Sequence, residues 1–123
     1  NQVNKPEVNM SDCLFCKIVS GDLDAEIVYE NEDLVAFRDI NPQAPTHLLI
    51  IPRLHISTLN ELTPEHDRVL GAVVRCAGEL AKSLGYAEDG YRTVFNCNEA
   101  AGQTVFHLHL HLLAGRHLAW PPG

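Results

Sequence analysis

Histidine and leucine alternate strictly along the segment His107–Leu112. Successive side chains of a β-strand point to opposite faces of the sheet, so this alternation predicts a strand with one leucine face and one histidine face. The leucine face must enter a core, and the histidine face is then expected at a surface or a cleft. Steps of two residues would space neighbouring imidazoles roughly 6.5–7 Å apart. We predict this strand over Val105–Leu113.

Three explanations compete for the three histidines. Chance use on a half-exposed strand is disfavoured, because lysine, threonine or serine would serve equally well. A metal cluster is open to consideration because imidazole is a common metal ligand, although the outer two rings would lie about 13 Å apart, too far for one ion. Nucleophilic catalysis suits an imidazole whose ordinary pKa, near 6.5, leaves it mostly neutral at pH 7.

The remaining patterns predict an α+β fold with a mainly antiparallel five-stranded sheet. A short helix should end near Gly21, and a long helix should begin after Thr63 and Pro64 and stop at Gly85. The other four strands are predicted over Glu26–Glu30, Asp33–Asp39, His47–Pro52 and Tyr91–Cys97.

Composition excludes several classes of protein. A chain of 123 residues with 46% hydrophobic and 20% charged residues suits one globular domain, predicted over residues 10–123, rather than a disordered chain. No segment approaches the roughly 20 apolar residues that span a bilayer, so no membrane partner is expected. A net charge of −7 argues against a nucleic-acid partner. The polar segment Asn1–Asn9 lacks a secretory pattern, and we interpret it as an added segment on a cytoplasmic protein.

Two of the four cysteines form the motif Cys13-x-x-Cys16, while Cys76 and Cys97 stand apart. Without a signal for export, free thiols or a metal site are favoured over disulfides. A redox CxxC pair would normally follow a strand, and no strand is predicted before Cys13. The pair is therefore interpreted as half of a zinc site or as two buried free thiols.

The chain resembles the histidine triad (HIT) superfamily, whose signature alternates three histidines with apolar residues as His107–Leu113 does. The segments Phe37–His47, Gly102–Phe106 and Gly115–Gly123 resemble its Hint branch, the histidine triad nucleotide-binding proteins. The resemblance covers residues 13–123. It implies a HIT-like fold, a homodimer and a purine nucleoside phosphoramidase. Such an enzyme converts adenosine or guanosine 5′-phosphoramidates into a nucleoside monophosphate and an amine through a covalent nucleotidyl-histidine.

By the same resemblance, four histidines receive catalytic roles. His109 would attack the α-phosphorus, and His111 would contact the phosphate oxygens. His107 would support the strand, and His47 would belong to the network that orients His109.

The resemblance also implies a nucleotide pocket. Asp39 would accept both ribose hydroxyls, as an acceptor-only carboxylate can. The base slot would be formed by Phe15, Ile18, Phe37 and Ile40. The wall around the phosphate would be formed by Asn96, Gly102, Gln103 and Thr104. The C-terminal tail, with Trp120, would reach towards a partner's active site.

Some bacterial relatives with the CxxC motif bind a structural zinc ion, and the resemblance carries this site to Cys13, Cys16, His55 and His107. Two thiolates and two imidazoles form a closed tetrahedral donor set. No cofactor is expected for catalysis itself.

Other functions stay open at this point. A dinucleoside polyphosphate hydrolase of the same superfamily would grip a long anion, for which the scattered Arg38, Arg53, Arg92 and Arg116 are poorly suited. A non-catalytic nucleotide-binding regulator would bind without turnover. A zinc-dependent hydrolase using the three triad histidines would lose activity on chelation.

Overall fold

The computed structural model describes residues 12–123, so the interpretation of Asn1–Asn9 lies outside the described residues. Five strands form one sheet in the order β1-β2-β3-β5-β4, and every neighbouring pair is antiparallel. The predicted α+β fold with one short and one long helix is confirmed. The helices are α1 (Leu14–Ser20) and α2 (Asp67–Ser83), and the strands are β1 (Ile27–Glu30), β2 (Leu34–Arg38), β3 (Thr46–Pro52), β4 (Arg92–Phe95) and β5 (Leu110–Ala114).

Both faces of the sheet are covered at its centre, where every residue of β3 is buried. Alternation sends Leu48 and Ile50 to the face that packs against α2, and Leu49 and Ile51 to the face that packs against α1. This explains why β3 reads as a continuous apolar run rather than an alternating one. Full burial of one such side chain stabilises the fold by about 1.5–3 kcal/mol.

The leucine face predicted for the last strand is confirmed, since Leu110 and Leu112 pack beneath α2. His111 points to the opposite face, towards α1. His111, the one triad histidine within β5, therefore lies on the α1 side of the sheet. No helix in residues 12–123 is long and apolar enough to cross a membrane.

The predicted extent of the last strand was wrong, because β5 begins at Leu110 rather than Val105. Leu110, the first residue of β5, pairs with Ile50 on one side and with Phe95 on the other. Continued in register, β3 would next place Ile51 opposite His109 and then Pro52 opposite Leu108, and Pro52 has no N–H to donate to a ladder. The chain bends at residues 105–107, and the Leu108 N–H turns instead to the Ile56 carbonyl, 2.6 Å away.

The expectation that all three histidines face a surface or a cleft was also wrong for His107, which is 0% exposed. Since the segment before Leu110 leaves the regular strand, its side chains do not keep strand spacing. The ring centroids of His109 and His111 are 5.0 Å apart, closer than regular alternation predicts.

The ends of the other elements differ from the predictions by a few residues. Pro64 opens a 3-10 turn, Pro64–His66, and the α-helical geometry of α2 begins only at Asp67. In that turn the Thr63 N–H donates to His66 Nδ1 at 3.0 Å. The strands β1, β2 and β4 are shorter than predicted because hydrogen-bonded pairing stops before their polar flanks, whereas β3 begins one residue earlier than predicted, at Thr46.

The loop between β2 and β3 is held against the end of β5. Gly115 follows β5 with φ 98°, and a Cβ there would lie 2.9 Å from the Pro45 Cβ. The Arg116 guanidinium donates to the Gln43 carbonyl at 3.0 and 3.1 Å. This fixes Gln43 close to the start of β3.

We predict that Gly115→Ala destabilises the protein more than Gly85→Ala does. Both glycines have positive φ, which costs an alanine about 1–2 kcal/mol. Only Gly115 also meets neighbouring atoms, and overpacking adds about 1–3 kcal/mol. Urea denaturation of the two variants measures this difference, and equal losses would contradict the packing of Gly115 on Pro45.

Candidate active site and metal-binding cluster

A cleft of about 380 Å³ opens on the α1 side of the sheet, a volume suited to a small molecule. One end is apolar, and the other carries Asp39, His109 and His111. The lining residues are Leu14, Phe15, Ile18, Leu23, Asp24, Ala25, Phe37, Arg38, Asp39, Ile40, Leu49, Thr104, Val105, His109 and His111.

Aromatic contacts join the apolar end of this cleft to His109. The Phe15 ring meets the Phe37 ring edge-to-face at 5.4 Å and the His109 ring edge-to-face at 5.0 Å. Phe15 belongs to α1, which also brings Ile18 to the same wall. A flat apolar group in the cleft would therefore lie against α1 and β2.

The tautomer of His109 follows from one hydrogen bond. Its Nδ1 lies 2.7 Å from the His107 carbonyl oxygen, and a carbonyl can only accept. Nδ1 therefore carries the proton, and Nε2 keeps a free lone pair. Burial lowers the pKa of His109, while this hydrogen bond and the charge of Asp39 oppose the shift. The ring is thus neutral at pH 7, as a nucleophile must be.

A second chain of hydrogen bonds determines the tautomer of His111. The Gln43 N–H donates to His47 Nδ1 at 3.0 Å, so His47 carries its proton on Nε2. His47 Nε2 lies 2.9 Å from His111 Nδ1, which must then accept. His111 in turn carries a proton on Nε2 and can donate it to an anion. His47 therefore hydrogen-bonds to His111, whereas the resemblance implied that His47 belongs to the network that orients His109.

Asp39 lies beside these two rings. Its Oδ2 is 3.4 Å from His47 Nε2, and its Oδ1 accepts the Asn41 N–H at 2.8 Å. The donor atoms of Asp39, His47 and His111 lie within 4.8 Å of one another. A metal at this point would need the lone pair of His47 Nε2, but the bond from Gln43 keeps a proton there. We therefore interpret this trio as a hydrogen-bond relay.

A different cluster lies behind the cleft, where Cys13, Cys16, His55 and His107 bring their donor atoms within 4.8 Å of one another. The His107 Nδ1 is 3.5 Å from both sulfurs, and the His55 Nδ1 is 3.2 Å from the Cys16 Sγ. Tetrahedral zinc with ordinary bond lengths separates sulfur and nitrogen ligands by about 3.6 Å. The donor set and its spacing therefore fit a tetrahedral ion.

The tautomer of His107 suits metal binding through Nδ1. Its Nε2 lies 2.8 Å from the Pro52 carbonyl and must donate, which leaves the Nδ1 lone pair directed at the two sulfurs. Outer hydrogen bonds of this kind commonly orient metal-ligating histidines. His55 is oriented similarly, with its Nε2 3.3 Å from the Ser57 hydroxyl.

Four residues expected at the nucleotide do not line the cleft. The Gln103 side chain is buried, donates to the Ser57 and Val105 carbonyls and accepts the Asn98 N–H. Asn96 follows β4, and Gly102 ends the adjacent 3-10 turn with φ 91°. Trp120 is 82% exposed.

Sequence reasoning missed several lining residues. Leu49 could have been found, because alternation along β3 places it on the same face as His47. Leu14 precedes Phe15 on the same short helix. Leu23, Asp24 and Ala25 carry no signal that links them to a site, since only the turn after Gly21 brings them to the cleft.

Comparison with known proteins gives a consistent result. A family model described as the HIT domain matches residues 20–118. The purine nucleoside phosphoramidase of Escherichia coli is 48% identical over 105 residues, 85% of this chain and 88% of the relative. The 14 kDa zinc-binding protein of Zea mays is 45% identical over 92% of this chain and 89% of the relative. The crystal structure of a HIT family hydrolase from Legionella pneumophila covers 91% of this chain and 100% of its own, with TM-score 0.90 and 52% identity.

The chain therefore belongs to the HIT domain family, as the sequence resemblance implied. Its similarity to family members named as hydrolases supports a hydrolase. The five-stranded antiparallel sheet agrees with these structural relatives.

The relay predicts a pH dependence of stability. Burial, followed by the proximity of His109 and His47, lowers the pKa of His111 to about 4, and burial also lowers the pKa of His47. Between about 4 and 6.5 the unfolded state binds more protons than the folded state, so stability rises with pH across this window. Urea denaturation at a series of pH values should show the free energy of unfolding falling as pH drops below about 6.5.

The variant His111→Asn removes one titrating ring while keeping an acceptor near the position of Nδ1, and it should flatten this dependence. His117→Asn alters an exposed histidine outside the cleft and serves as its control. An unchanged slope in His111→Asn would contradict the relay.

Proposed function

We propose that the protein is a purine nucleoside phosphoramidase. The observation that carries the proposal is the hydrogen bond from His109 Nδ1 to the His107 carbonyl, which leaves Nε2 as a neutral nucleophile at the edge of the cleft. The relative from Escherichia coli that bears this name supports the same activity.

His109 Nε2 attacks the α-phosphorus of a nucleoside 5′-phosphoramidate. A bond forms between Nε2 and phosphorus, the bond from phosphorus to the amine nitrogen breaks, and the amine leaves after taking a proton from solvent. Water then attacks phosphorus, the bond between phosphorus and Nε2 breaks, and the nucleoside monophosphate leaves as the water proton returns to solvent, which restores the free imidazole. Two displacements replace one difficult substitution. Throughout, the His107 carbonyl accepts a hydrogen bond from Nδ1–H and stabilises the positive charge that develops on the ring.

His111 donates a hydrogen bond from Nε2–H to a phosphate oxygen. The bond from His47 keeps this proton in position, and the Gln43 N–H keeps the tautomer of His47. His47 therefore acts as a positioning residue for His111. His107 acts likewise for His109 through its carbonyl.

The nucleoside occupies the rest of the cleft. Its purine lies in the apolar slot formed by Phe15, Ile18, Phe37 and Ile40. Asp39 accepts the ribose hydroxyls, because each of its oxygens retains a lone pair beyond its present contact.

The loop after β4 approaches the phosphate. Thr104 lines the cleft, and its hydroxyl donates a hydrogen bond to the phosphate. Gly102, in the left-handed region, ends the 3-10 turn and leads the chain to Thr104, and Asn96 flanks this turn. Gln103 contributes by holding the loop through its bonds to Ser57 and Val105.

A single phosphate fits the charge of the cleft better than a polyphosphate does. Among the described lining residues, Arg38 is the one Lys or Arg side chain, and its Nε is 3.0 Å from Glu26. A long polyanion normally meets several free cations. This favours a phosphoramidase over a dinucleoside polyphosphate hydrolase.

A structural zinc ion bound by Cys13, Cys16, His55 and His107 completes the proposal. The name of the maize relative and the donor geometry support it. The ion would cross-link α1 to the segments before β5 and after β3. All four ligands belong to the protein, so zinc takes no part in the displacement.

The active unit is proposed to be a homodimer in which Trp120 reaches the cleft of the partner. Arg92 on β4 donates to the Leu118 and Ala119 carbonyls at 3.2 and 2.9 Å, which ties the tail to this edge strand. The tail is thus kept away from its own cleft. A second copy paired along β4 would receive the exposed Trp120 ring.

We predict that His109→Ala abolishes hydrolysis of an adenosine 5′-phosphoramidate while AMP still binds. Loss of the nucleophile should lower kcat at least about 10³-fold, because oriented binding alone gives only residual catalysis. Continuous release of the amine measures turnover, and calorimetry measures AMP affinity. His117→Ala is the matched control, and its activity should equal that of the parent chain.

Retained turnover in His109→Ala would refute the assignment. Faster turnover of a diadenosine polyphosphate than of the phosphoramidate would favour the polyphosphate hydrolase. Tight AMP binding with no turnover of any substrate by the parent chain would favour a regulator.

We also predict about one zinc ion per purified chain, measured by elemental analysis. The double variant Cys13→Ser with Cys16→Ser should retain almost none, since serine hydroxyls are poor zinc ligands. Cys76→Ala, which changes a thiol on the α2 side of the sheet, should keep its zinc. A folded parent chain without metal would contradict the zinc site.

A further inference from the structure

The four-residue metal cluster and the base slot share the helix α1. Cys13 caps the N-terminus of this helix, and Cys16 lies in its first turn. Phe15 lies between these two ligands in sequence, Ile18 follows Phe15 nearly one helical turn later, and both side chains line the cleft. The residues that would hold the metal therefore alternate with residues that would hold the base.

A helix of seven residues is too short to be stable by its own hydrogen bonds. α1 depends on its attachments to the sheet. One attachment is the packing of Phe15 and Ile18 against Phe37 and Leu49. The other is the contact of its two sulfurs with His55 and His107, at 3.2 to 3.5 Å.

The second attachment would be much stronger with a metal ion bound than without one. Without metal, it consists of thiol–imidazole contacts, in which sulfur is a weak hydrogen-bonding group. With metal, four coordinate bonds would join α1 to two other segments of the chain. The ion would thus fix the Phe15 ring, which lies 5.0 Å from the His109 ring and 5.4 Å from the Phe37 ring.

We propose that Cys13 and Cys16 are positioning residues of the base slot, so that metal binding and nucleotide binding strengthen each other. This inference rests on the proposed nucleotide-binding function. Because two ligands that stabilise the same position of α1 are thermodynamically linked, each raises the affinity for the other by the same factor.

The coupling acts chiefly on the base. Three of the groups proposed for ribose and phosphate, Asp39, His47 and His111, lie on β2, β3 and β5 or at their ends. Their mutual contacts involve no residue of α1. A ligand without a base should therefore respond little to the metal.

The experiment compares zinc-loaded and chelated samples of the same chain by calorimetry, with AMP and ribose 5-phosphate as ligands. Removal of zinc should weaken AMP binding about tenfold, in the usual range of coupling between two sites. Ribose 5-phosphate affinity should stay within about twofold. Saturating AMP should, reciprocally, tighten zinc binding by the same factor that zinc tightens AMP binding.

Two further measurements separate positioning from a general loss of structure. Hydrogen exchange without nucleotide should speed up in Leu14–Ser20 of the chelated chain, while the amides of β3 stay protected. Cys16→Ser should reproduce the weak AMP binding, and Cys76→Ala should not.

Equal AMP affinity with and without zinc would overturn the inference and leave the proposed activity intact. Equal weakening of AMP and ribose 5-phosphate, or loss of protection throughout the sheet, would also overturn it, because the effect would not be confined to α1. A zinc-loaded chain that binds no AMP would instead refute the proposed function on which the inference rests.

Discussion

The hydrogen bond between His109 Nδ1 and the His107 carbonyl decides which nitrogen of His109 can react. A backbone carbonyl has no proton to give, so the ring cannot reverse its tautomer without losing this bond inside a buried site, which costs about 1–3 kcal/mol. The Leu108 N–H, which belongs to the same peptide group as this carbonyl, donates to the Ile56 carbonyl and holds the peptide in place, and Phe15 packs on the ring. The proposed chemistry depends on this arrangement.

His107 explains how a fully buried histidine is accommodated. Its Nε2 donates to the Pro52 carbonyl, its Nδ1 faces the two cysteine sulfurs, and its own carbonyl serves His109. Among residues 12–123, no buried side-chain nitrogen or oxygen lacks a partner. Because every polar group of His107 has a partner, a histidine can be buried here without leaving a hydrogen-bonding group unsatisfied.

The sequence predicted the architecture well, because alternation along the last strand and periodicity along α2 depend on local geometry alone. It could not predict that β5 starts at Leu110, since the chain bends at residues 105–107 and the Leu108 N–H bonds to the Ile56 carbonyl, a partner distant in sequence. The sequence also could not show that His47 contacts His111. The group that selects the tautomer of His47 is the backbone N–H of Gln43, which leaves no signal in the side-chain pattern. Leu49 could have been assigned to the cleft from alternation.

Mapping the covalent intermediate tests the central assignment most directly. The parent chain would be mixed with a stoichiometric adenosine 5′-phosphoramidate, quenched in base to preserve the phosphorus–nitrogen bond, digested and analysed by mass spectrometry and NMR. One nucleotidyl group is expected, on Nε2 of His109. A nucleotidyl group on His111, or on Nδ1 of His109, would contradict it.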